Sequence, residues 1–264
     1  MRNKVVVITG GSTGIGKALA EEFGRQGSKI LITGRTKTNL ELAVEELQKK
    51  GITISFFVGD VGKEEDNRAM RDEAIRLYNG IDVLINNAGI SMRAMFEDVD
   101  LQVIHTVMNT NFYGAMYATR YCLPEIKKNK GSIVGISSIA GIRGLPGRAG
   151  YSSSKFALTG FLEVLRTELM PYHVNVLTVY PGFTSSEIRK RALDENGIPQ
   201  GESPRDEKKM MTAEQCAGYI YKATAKRKRS LVLTTQGKIL VLLNKWWPSL
   251  ADKIVYGYMA KEKD

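Results

Sequence analysis

Short runs of apolar and β-branched residues alternate along the chain with longer stretches in which apolar residues recur every three or four positions. The short runs predict β-strands, and the longer stretches predict amphipathic helices. Predicted strands cover residues 5–9, 29–33, 53–58, 83–86, 132–136, 175–179 and 231–234. Predicted helices cover residues 15–26, 38–50, 65–78, 101–128, 152–170 and 213–225. This alternation is typical of a parallel sheet covered by helices.

The pattern shows no repeat and no linker, so the 264 residues predict one α/β domain, residues 1–264, with a doubly wound, seven-stranded parallel sheet. A strand such as Val5-Val6-Val7-Ile8, apolar at every position, suits burial on both faces of that sheet. Residues 183–212 depart from the pattern because they are polar, charged and punctuated by glycine and proline. They predict a mobile lid or a disordered insertion.

The formal charge of +10 raises the question of a nucleic-acid partner. The basic runs at 127–128, 189–191 and 226–229 lack the interleaved aromatic residues of a platform for single strands. We therefore predict no nucleic-acid partner. An anionic cofactor, a membrane surface or simple solubility accounts for the charge instead.

Two cysteines, Cys122 and Cys216, exclude a disulfide scaffold and suit a reducing compartment. With His105 and His173 as the two histidines, we expect no metal site. The apolar run at 5–8 is too short for a signal peptide, and no stretch approaches the ~20 apolar residues of a spanning helix. We expect a cytoplasmic protein that is peripheral to a membrane at most.

A glycine-rich loop joins the first predicted strand to the first predicted helix. Its glycines let the backbone approach a pyrophosphate, and the first N–H groups of the helix face the negative charge. The alternative is a purely structural turn. The residues predicted to hold a dinucleotide here are Gly10, Ser12, Thr13, Gly14, Ile15 and Gly16.

The stretch from Gly11 to Lys17 also fits the nucleoside-triphosphate loop G-x-x-x-x-G-K. In that loop the next residue offers a hydroxyl to Mg²⁺, whereas here it is Ala18. The dinucleotide interpretation is therefore favoured.

The second predicted strand ends in Thr33-Gly34-Arg35-Thr36, without the carboxylate that usually binds the adenosine ribose of NAD. A guanidinium at Arg35 suits the 2′-phosphate of NADP, with hydroxyls from Thr36 and Ser12 nearby. The alternative is a solvent-facing arginine. We predict NADP(H) in preference to NAD(H).

Further motifs follow in order: Asp60-Val61, Asn86-Asn87-Ala88-Gly89, Asn111, Ser138, Tyr151-Ser-Ser-Ser-Lys155 and Pro181-Gly182. With this ordered set the sequence resembles a classical short-chain dehydrogenase/reductase along nearly its whole length. The hydroxysteroid-dehydrogenase-like and ketosphinganine-reductase-like branches are the nearest. The resemblance implies a Rossmann-type fold and an oxidoreductase that interconverts a ketone and a secondary alcohol.

The resemblance also implies roles for the motif residues. Asn111 would bend its helix and hold a proton-relay water, and Ser138 would orient the substrate, with Ser137 as a second candidate. The cofactor contacts that it implies are Asp60 and Val61 at the adenine, Asn87, Ala88 and Gly89 on the adenosine side, and Pro181, Gly182 and Thr184 at the nicotinamide.

The chemistry of carbonyl reduction gives an independent reason for Tyr151 and Lys155. Hydride transfer to a carbonyl leaves an alkoxide that needs a proton, and a phenol of pKa near 10 supplies it poorly at neutral pH. An ammonium four residues along the same helix face stabilises the phenolate. Ser138 would bond the substrate oxygen as charge builds there. Lys155 would also bind the nicotinamide ribose.

No fixed charge near these motifs demands a charged substrate, so we expect a hydrophobic, lipid-like or steroid-like carbonyl compound, with residues 183–212 as its lid. The apolar and aromatic residues of the C-terminal extension, 237–264, alternate with lysines. This pattern suits a bilayer surface, a cover over the substrate cleft or a subunit interface. The family resemblance further implies a homodimer or homotetramer. A catalytically silent NADP(H)-binding sensor is the alternative function.

Overall fold

The computed structural model describes residues 1–185, 187–202 and 210–260. Its sheet has seven parallel strands in the order β3-β2-β1-β4-β5-β6-β7. The strands are β1 Val5–Thr9, β2 Lys29–Gly34, β3 Ile54–Val58, β4 Val83–Asn86, β5 Ser132–Ile136, β6 Asn175–Tyr180 and β7 Ser230–Val232. The predicted doubly wound, Rossmann-type fold is confirmed, and each predicted strand lies within two residues of its position in the structure.

Helices cover both faces of the sheet. They are α1 Gly14–Arg25, α2 Lys37–Lys49, α3 Glu64–Tyr78, α4 Leu101–Met108, α5 Gly114–Lys128, α6 Ala149–Glu168, α7 Ala213–Ala225, α8 Thr235–Trp246 and α9 Pro248–Ala260. One apolar core lies under α1, α2 and α7, where Phe23 is fully buried and meets Tyr221 edge-to-face at 5.1 Å. The other core lies under α3, α5 and α6, around Ala118, Cys122 and Leu162. Both cysteines are buried and free, and burial raises the pKa of each thiol to about 12.

Strand order reverses between β1 and β4, because β1 pairs with β2 on one side and with β4 on the other. The chain leaves these strands at one edge of the sheet and turns towards helices on opposite faces. Doubly wound folds bind their ligands in the crevice at that edge, between the loops that follow such strands.

The helix predicted over residues 101–128 is interrupted by a π-helical turn, Asn109–Tyr113. The periodicity of apolar residues missed this turn, because the side chain of Asn111 is drawn into polar contacts described below. Residues after β7 form α8 and α9, and Pro248 begins α9, where its missing N–H is no loss. None of the helices formed by the described residues is long and apolar enough to cross a membrane.

The described part of residues 183–212 forms turns rather than a regular element. A bridge joins Leu193 to Met92, and another joins Thr184 to Met211. The segment therefore packs against the loop that follows β4. Its role as a lid stays a prediction, and Pro204 lies outside the described residues.

Candidate active site

The glycine-rich loop after β1 has the backbone shape that its sequence predicts. Gly10 and Gly14 adopt positive φ angles of 63° and 52°, where a side chain would be strained. A Cβ at Gly16 would lie 2.1 Å from the carbonyl oxygen of Gly10. The first turn of α1 therefore packs directly against the loop.

Hydrogen bonds of Thr9, at the end of β1, and Asn87, after β4, join this loop to the loop after β4. The Thr9 hydroxyl accepts hydrogen bonds from the backbone N–H groups of Asn87 and Ala88, both at 3.0 Å. The Asn87 amide donates to the carbonyl oxygens of Thr9 and Gly10, both at 2.9 Å. These bonds fix the ends of β1 and β4 on either side of the crevice.

Lys17 gives structural evidence against the nucleoside-triphosphate interpretation. Its ammonium forms a salt bridge with Glu46 on α2. In a triphosphate loop this lysine would reach the phosphates instead. The contact leaves the dinucleotide interpretation in place.

Residues at the end of β2 and in the loop lie together at the rim of the crevice. Arg35 and Thr36 are exposed. The Ser12 hydroxyl lies 3.6 Å from the position that a Cβ of Gly34 would take, so the loop touches the end of β2. Thr13 is the residue directly before α1, where its side chain makes no capping hydrogen bond, and Ile15 lies in the first turn of the helix. The structure thus places Ser12 beside the end of β2, directly before Arg35 and Thr36 in the chain.

Asp60 and Val61 form the turn after β3. The Asp60 carboxylate accepts a hydrogen bond from the backbone N–H of Gly62 at 2.9 Å. The backbone N–H of Asp60 donates to the Asp66 carboxylate at 2.8 Å. Val61 packs so closely on Gly114 that a Cβ there would lie 2.8 Å from its side chain. This turn therefore packs against the start of α5.

Asn111 lies buried inside the π-helical turn, with 1% of its surface exposed. Its amide oxygen accepts from the N–H of Ile90 at 2.8 Å, and its amide nitrogen donates to the carbonyl of Ile90 at 3.0 Å and to the Ser154 hydroxyl at 2.9 Å. The π-helical turn places the Asn111 side chain so that it makes all three hydrogen bonds. Asn111 therefore ties the loop after β4 to helix α6. A Cβ at Gly89 would lie 3.2 Å from the Asn111 amide oxygen and 3.4 Å from the Lys155 ammonium.

The two serines after β5 have different surroundings. Ser137 is buried, where its hydroxyl donates to the carbonyl of Lys155 at 3.1 Å and meets the Thr159 hydroxyl at 3.1 Å. Ser138 is half-buried and caps the short helical turn Ile139–Gly141 by accepting from the N–H of Ala140. Ser138 is thus the serine that faces the crevice.

Lys155 is 3% exposed, and its ammonium donates to the carbonyl of Ile136 at 2.9 Å. Because burial disfavours the charged form, the pKa of Lys155 falls from 10.5 to about 8. The ammonium lies 5.8 Å from the centre of the Tyr151 ring. Helix α6 places both residues on one face, as their spacing predicts.

The surroundings of Tyr151 shift the pKa of its phenol in opposite directions. Burial raises its pKa, while the Ser138 hydroxyl and the charges of Arg148 and Arg189 lower it. The first effect is the largest, so the pKa lies above its ordinary value of 10. The geometry unites Ser138, Tyr151, Lys155 and Asn111 around one corner of the crevice.

Sequence reasoning missed Arg148, Arg189 and Ser154. Arg148 and Arg189 are each 8% exposed, and both guanidinium nitrogens of Arg189 donate to the carbonyl of Thr184 at 3.0 Å. A signal existed for Arg148, since it stands three residues before Tyr151, one helical turn away. No local pattern marks Arg189, because it reaches the site through the fold.

The segment after β6 borders the same corner. The Pro181 carbonyl accepts from the N–H of Ile139 at 3.1 Å, and the Thr184 hydroxyl donates to the carbonyl of Gly182 at 3.3 Å. A Cβ at Gly182 would lie 2.3 Å from the Thr234 hydroxyl. The predicted nicotinamide-side residues therefore lie beside the turn that carries Ser138.

The hairpin of α8 and α9 packs on that turn as well. Arg143 donates to the Asn244 amide at 3.2 Å and pairs with the Asp252 carboxylate. The Asn244 amide donates to the carbonyl of Ile142 at 3.2 Å. The C-terminal extension therefore contacts the rim of the substrate side of the crevice.

Comparisons with known proteins identify the family of this chain. A family model for short chain dehydrogenases matches residues 4–197. Dehydrogenase/reductase SDR family member 7B of Xenopus tropicalis is 31% identical over 267 residues, which cover 98% of this chain and 85% of that protein. The 11-beta-hydroxysteroid dehydrogenase-like 2 protein of Arabidopsis thaliana is 38% identical over 187 residues, covering 70% of this chain and 60% of that protein.

Solved structures share the fold. A short-chain dehydrogenase/reductase from Burkholderia phymatum in complex with NAD has a TM-score of 0.83 at 22% identity, covering 94% of this chain and 95% of that one. An alcohol dehydrogenase from the archaeon Thermococcus sibiricus, complexed with 5-hydroxy-NADP, has a TM-score of 0.78 at 23% identity, covering 88% and 96%. On the sequence matches, this chain is an oxidoreductase of the short-chain dehydrogenase/reductase family, with hydroxysteroid-dehydrogenase-like relatives.

Proposed function

We propose that this protein is an NADP(H)-dependent oxidoreductase that interconverts a hydrophobic ketone and its secondary alcohol. The observation that carries the proposal is the convergence of Asn111, Ser138, Tyr151 and Lys155 beside a glycine-rich loop. A catalytically silent sensor would need the loop but has no use for these four together, so that alternative is not favoured.

The crevice residues fit a nicotinamide dinucleotide, because Gly10 and Gly16 let the loop pack tightly onto the start of α1, and a helix start of this kind suits a pyrophosphate. When bound, that cofactor supplies or accepts the hydride. Tyr151 then donates a proton to the substrate oxygen in reduction and takes it back in oxidation. Ser138 orients that oxygen, and Lys155 holds positive charge below the phenol.

Asn111 supplies the route by which the proton is replaced. Its side chain is fully used by Ile90 and Ser154. We propose that the relay water binds at the backbone of the π-helical turn around Asn111, Asn109–Tyr113.

The preference for NADP(H) is supported by Arg35 at the end of β2, in the position where NAD-binding folds carry a carboxylate. Arg35 is exposed, and it follows Gly34, the residue beside which the Ser12 hydroxyl lies. A bidentate contact with a phosphate suits the Arg35 guanidinium.

A hydrophobic substrate is supported by the 11-beta-hydroxysteroid dehydrogenase-like relatives and by the surroundings of Tyr151. The guanidinium groups nearest to it already bond protein oxygens, at Ser91 and Met92 for Arg148 and at Thr184 for Arg189. They therefore hold the protein rather than select an acidic substrate.

The decisive experiment is a panel of lipid-like, steroid and small ketones assayed with NADPH, with Tyr151→Phe as the matched variant. We expect turnover by the wild type and a loss of at least about 100-fold in the variant, the scale of general acid catalysis. Equal turnover by both proteins would refute the mechanism.

A weak peripheral contact with membranes is a further part of the proposal. The hairpin exposes Leu242, Trp246, Trp247 and Ile254 at 46–64% of their surface, and exposed lysines lie among them. Apolar and aromatic side chains flanked by lysines suit an anionic headgroup region. Flotation with phosphatidylglycerol vesicles should recover the protein at low salt and lose it at high salt. No recovery at low salt would dispose of the idea.

A homodimer or homotetramer is proposed on the face formed by α5 and α6. Phe156 and Val164 are 44% and 53% exposed there, and Tyr113, the last residue of the π-helical turn before α5, is 42% exposed. Light scattering after gel filtration should give at least twice the 29.3 kDa of the chain, and Val164→Glu should reduce it. A monomer at micromolar concentration would contradict this part.

A further inference from the structure

Arg148 is a buried arginine at the point where α6 begins. A buried guanidinium is costly unless it is fully engaged with acceptors. One of its terminal nitrogens donates to the Ser91 hydroxyl at 3.2 Å and to the carbonyl of Met92 at 3.1 Å. Its own carbonyl accepts from the N–H of Ser152 at 2.8 Å. It therefore joins the start of α6 to the loop after β4.

The loop at Ile90–Met92 is held at both ends by contacts that return to the same helix. Asn111 bonds both backbone groups of Ile90 and also donates to Ser154. The Ser154 hydroxyl in turn donates to the carbonyl of Tyr151 at 2.7 Å. Arg148 closes this ring of contacts at its other side. Tyr151 stands on the arc of α6 between Arg148 and Ser154.

We propose that Arg148 is a positioning residue for Tyr151: it locks the loop after β4 to the first turn of α6, so that the phenol stays in register with Asn111 and Ser138. The inference rests on the proposed acid–base role of Tyr151. It adds a residue outside the Asn-Ser-Tyr-Lys set, one that acts through the backbone and through its charge.

Charge adds to this role. Arg148 on α6, Arg189 after β6 and the Ser138 hydroxyl after β5 lower the pKa of the phenol. The Lys155 ammonium on α6 lies 5.8 Å from the centre of its ring. The positive charge of Arg148 lowers the pKa of Tyr151 against the effect of burial. Removal of the charge should therefore raise that pKa, and replacement by lysine should largely preserve it.

The variants that separate geometry from charge are Arg148→Met, Arg148→Lys and Ser91→Ala. The first removes both, the second keeps the charge with fewer donors, and the third removes one acceptor. Arg25→Met is the control, because Arg25 is an exposed arginine at the far end of α1. It removes the same charge away from the site.

Two measurements test the proposal. The first is the pH dependence of kcat for oxidation of the best alcohol of the panel. The second is ¹⁹F NMR of protein carrying 3-fluorotyrosine, whose fluorine lowers phenol pKa values into a convenient range. Tyr151→Phe assigns the Tyr151 signal. The second measurement needs no turnover, so it separates this inference from the proposed function.

We expect Arg148→Met to raise the pKa of Tyr151 and to lower kcat at least about tenfold. Arg148→Lys should keep the titration of the wild type and recover part of kcat. Ser91→Ala should lower kcat about two- to fivefold with an unchanged titration.

Arg148→Met with the titration and kcat of Arg25→Met would overturn the proposal. If Arg148→Met does not fold, Ser91→Ala and Arg148→Lys decide the question. Wild-type kcat in both of them would then overturn it.

Discussion

The buried ammonium of Lys155 makes a prediction about stability as well as catalysis. Burial lowers its pKa from 10.5 to about 8, and each unit corresponds to about 1.4 kcal/mol. Below pH 8 the folded state therefore carries a penalty of about 3 kcal/mol for keeping this group charged. Methionine has a similar length and no charge, so Lys155→Met removes the penalty.

The substitution also removes the hydrogen bond from Lys155 to the carbonyl of Ile136. Such a bond contributes about 1 kcal/mol. At pH 7 the variant should then be more stable than the wild type by about 2 kcal/mol, or on the order of 5 °C in Tm for a chain of this size. The same variant should lose activity, since it lacks the cation beneath the phenol.

The sign of the effect depends on pH. Between pH 8 and 10.5 the unfolded chain still binds a proton at this lysine while the folded chain has released it. The stability of the wild type therefore gains from this group as the pH rises through that window. The advantage of Lys155→Met should shrink there and reverse by about 1 kcal/mol near pH 10.5, where the lost hydrogen bond remains.

Urea unfolding followed by circular dichroism at pH 7, 8.5 and 10 would measure this difference. Lys228→Met is the matched control, because Lys228 is an exposed lysine after α7 and its removal should change the free energy of unfolding little at any pH. A Lys155→Met protein less stable than wild type at pH 7 would refute the reasoning. So would a difference that is the same at every pH.

Three other substitutions test separate parts of the site. Arg35→Asp should shift the ratio of kcat/KM for NADPH over NADH at least about tenfold towards NADH, and an equal loss for both would count against a 2′-phosphate contact. Gly16→Ala would place a Cβ 2.1 Å from the Gly10 carbonyl and so distort the loop. Cofactor binding, followed by fluorescence, should weaken at least about tenfold. Undiminished binding would mean that this loop does not bind the cofactor. Arg143→Ala removes the contacts to Asn244 and Asp252, and proteolysis should then release the C-terminal hairpin faster than in the wild type, whereas an unchanged rate would show that the hairpin is held elsewhere.

The sheet and most helices followed from the sequence because their signals are local. An all-apolar run such as Val5–Thr9 has to be buried on both faces, and a loop with Gly10, Gly14 and Gly16 after it has few shapes to adopt. The pair Tyr151 and Lys155 was equally local, since four residues of one helix fix their shared face.

The parts that were missed depend on contacts between distant segments. Nothing near Arg189 in the sequence indicates that it reaches Tyr151, because the fold brings the segment after β6 to that corner. The low pKa of Lys155 follows from complete burial under Gly89 and Ile136. The spacing of Tyr151 and Lys155 predicted an ammonium beside the phenol. Only the packing around Lys155 shows the free-energy penalty of keeping that charge in the folded chain.

The π-helical turn at Asn109–Tyr113 holds one residue more than a regular helix would place in the same rise. Each residue turns a helix by about 100°, so the extra one rotates α5 relative to α4 by that amount. The two halves of one continuous rod can thus serve different neighbours, α4 packing on α6 and α5 on α3. Deletion of one residue from this turn would give a regular helix, the geometry that backbone design favours. In that helix Asn111 would no longer contact Ile90. The number of residues in this turn therefore sets the position of Asn111. We expect homologous proteins and designs that preserve the site to keep the same number of residues in the turn.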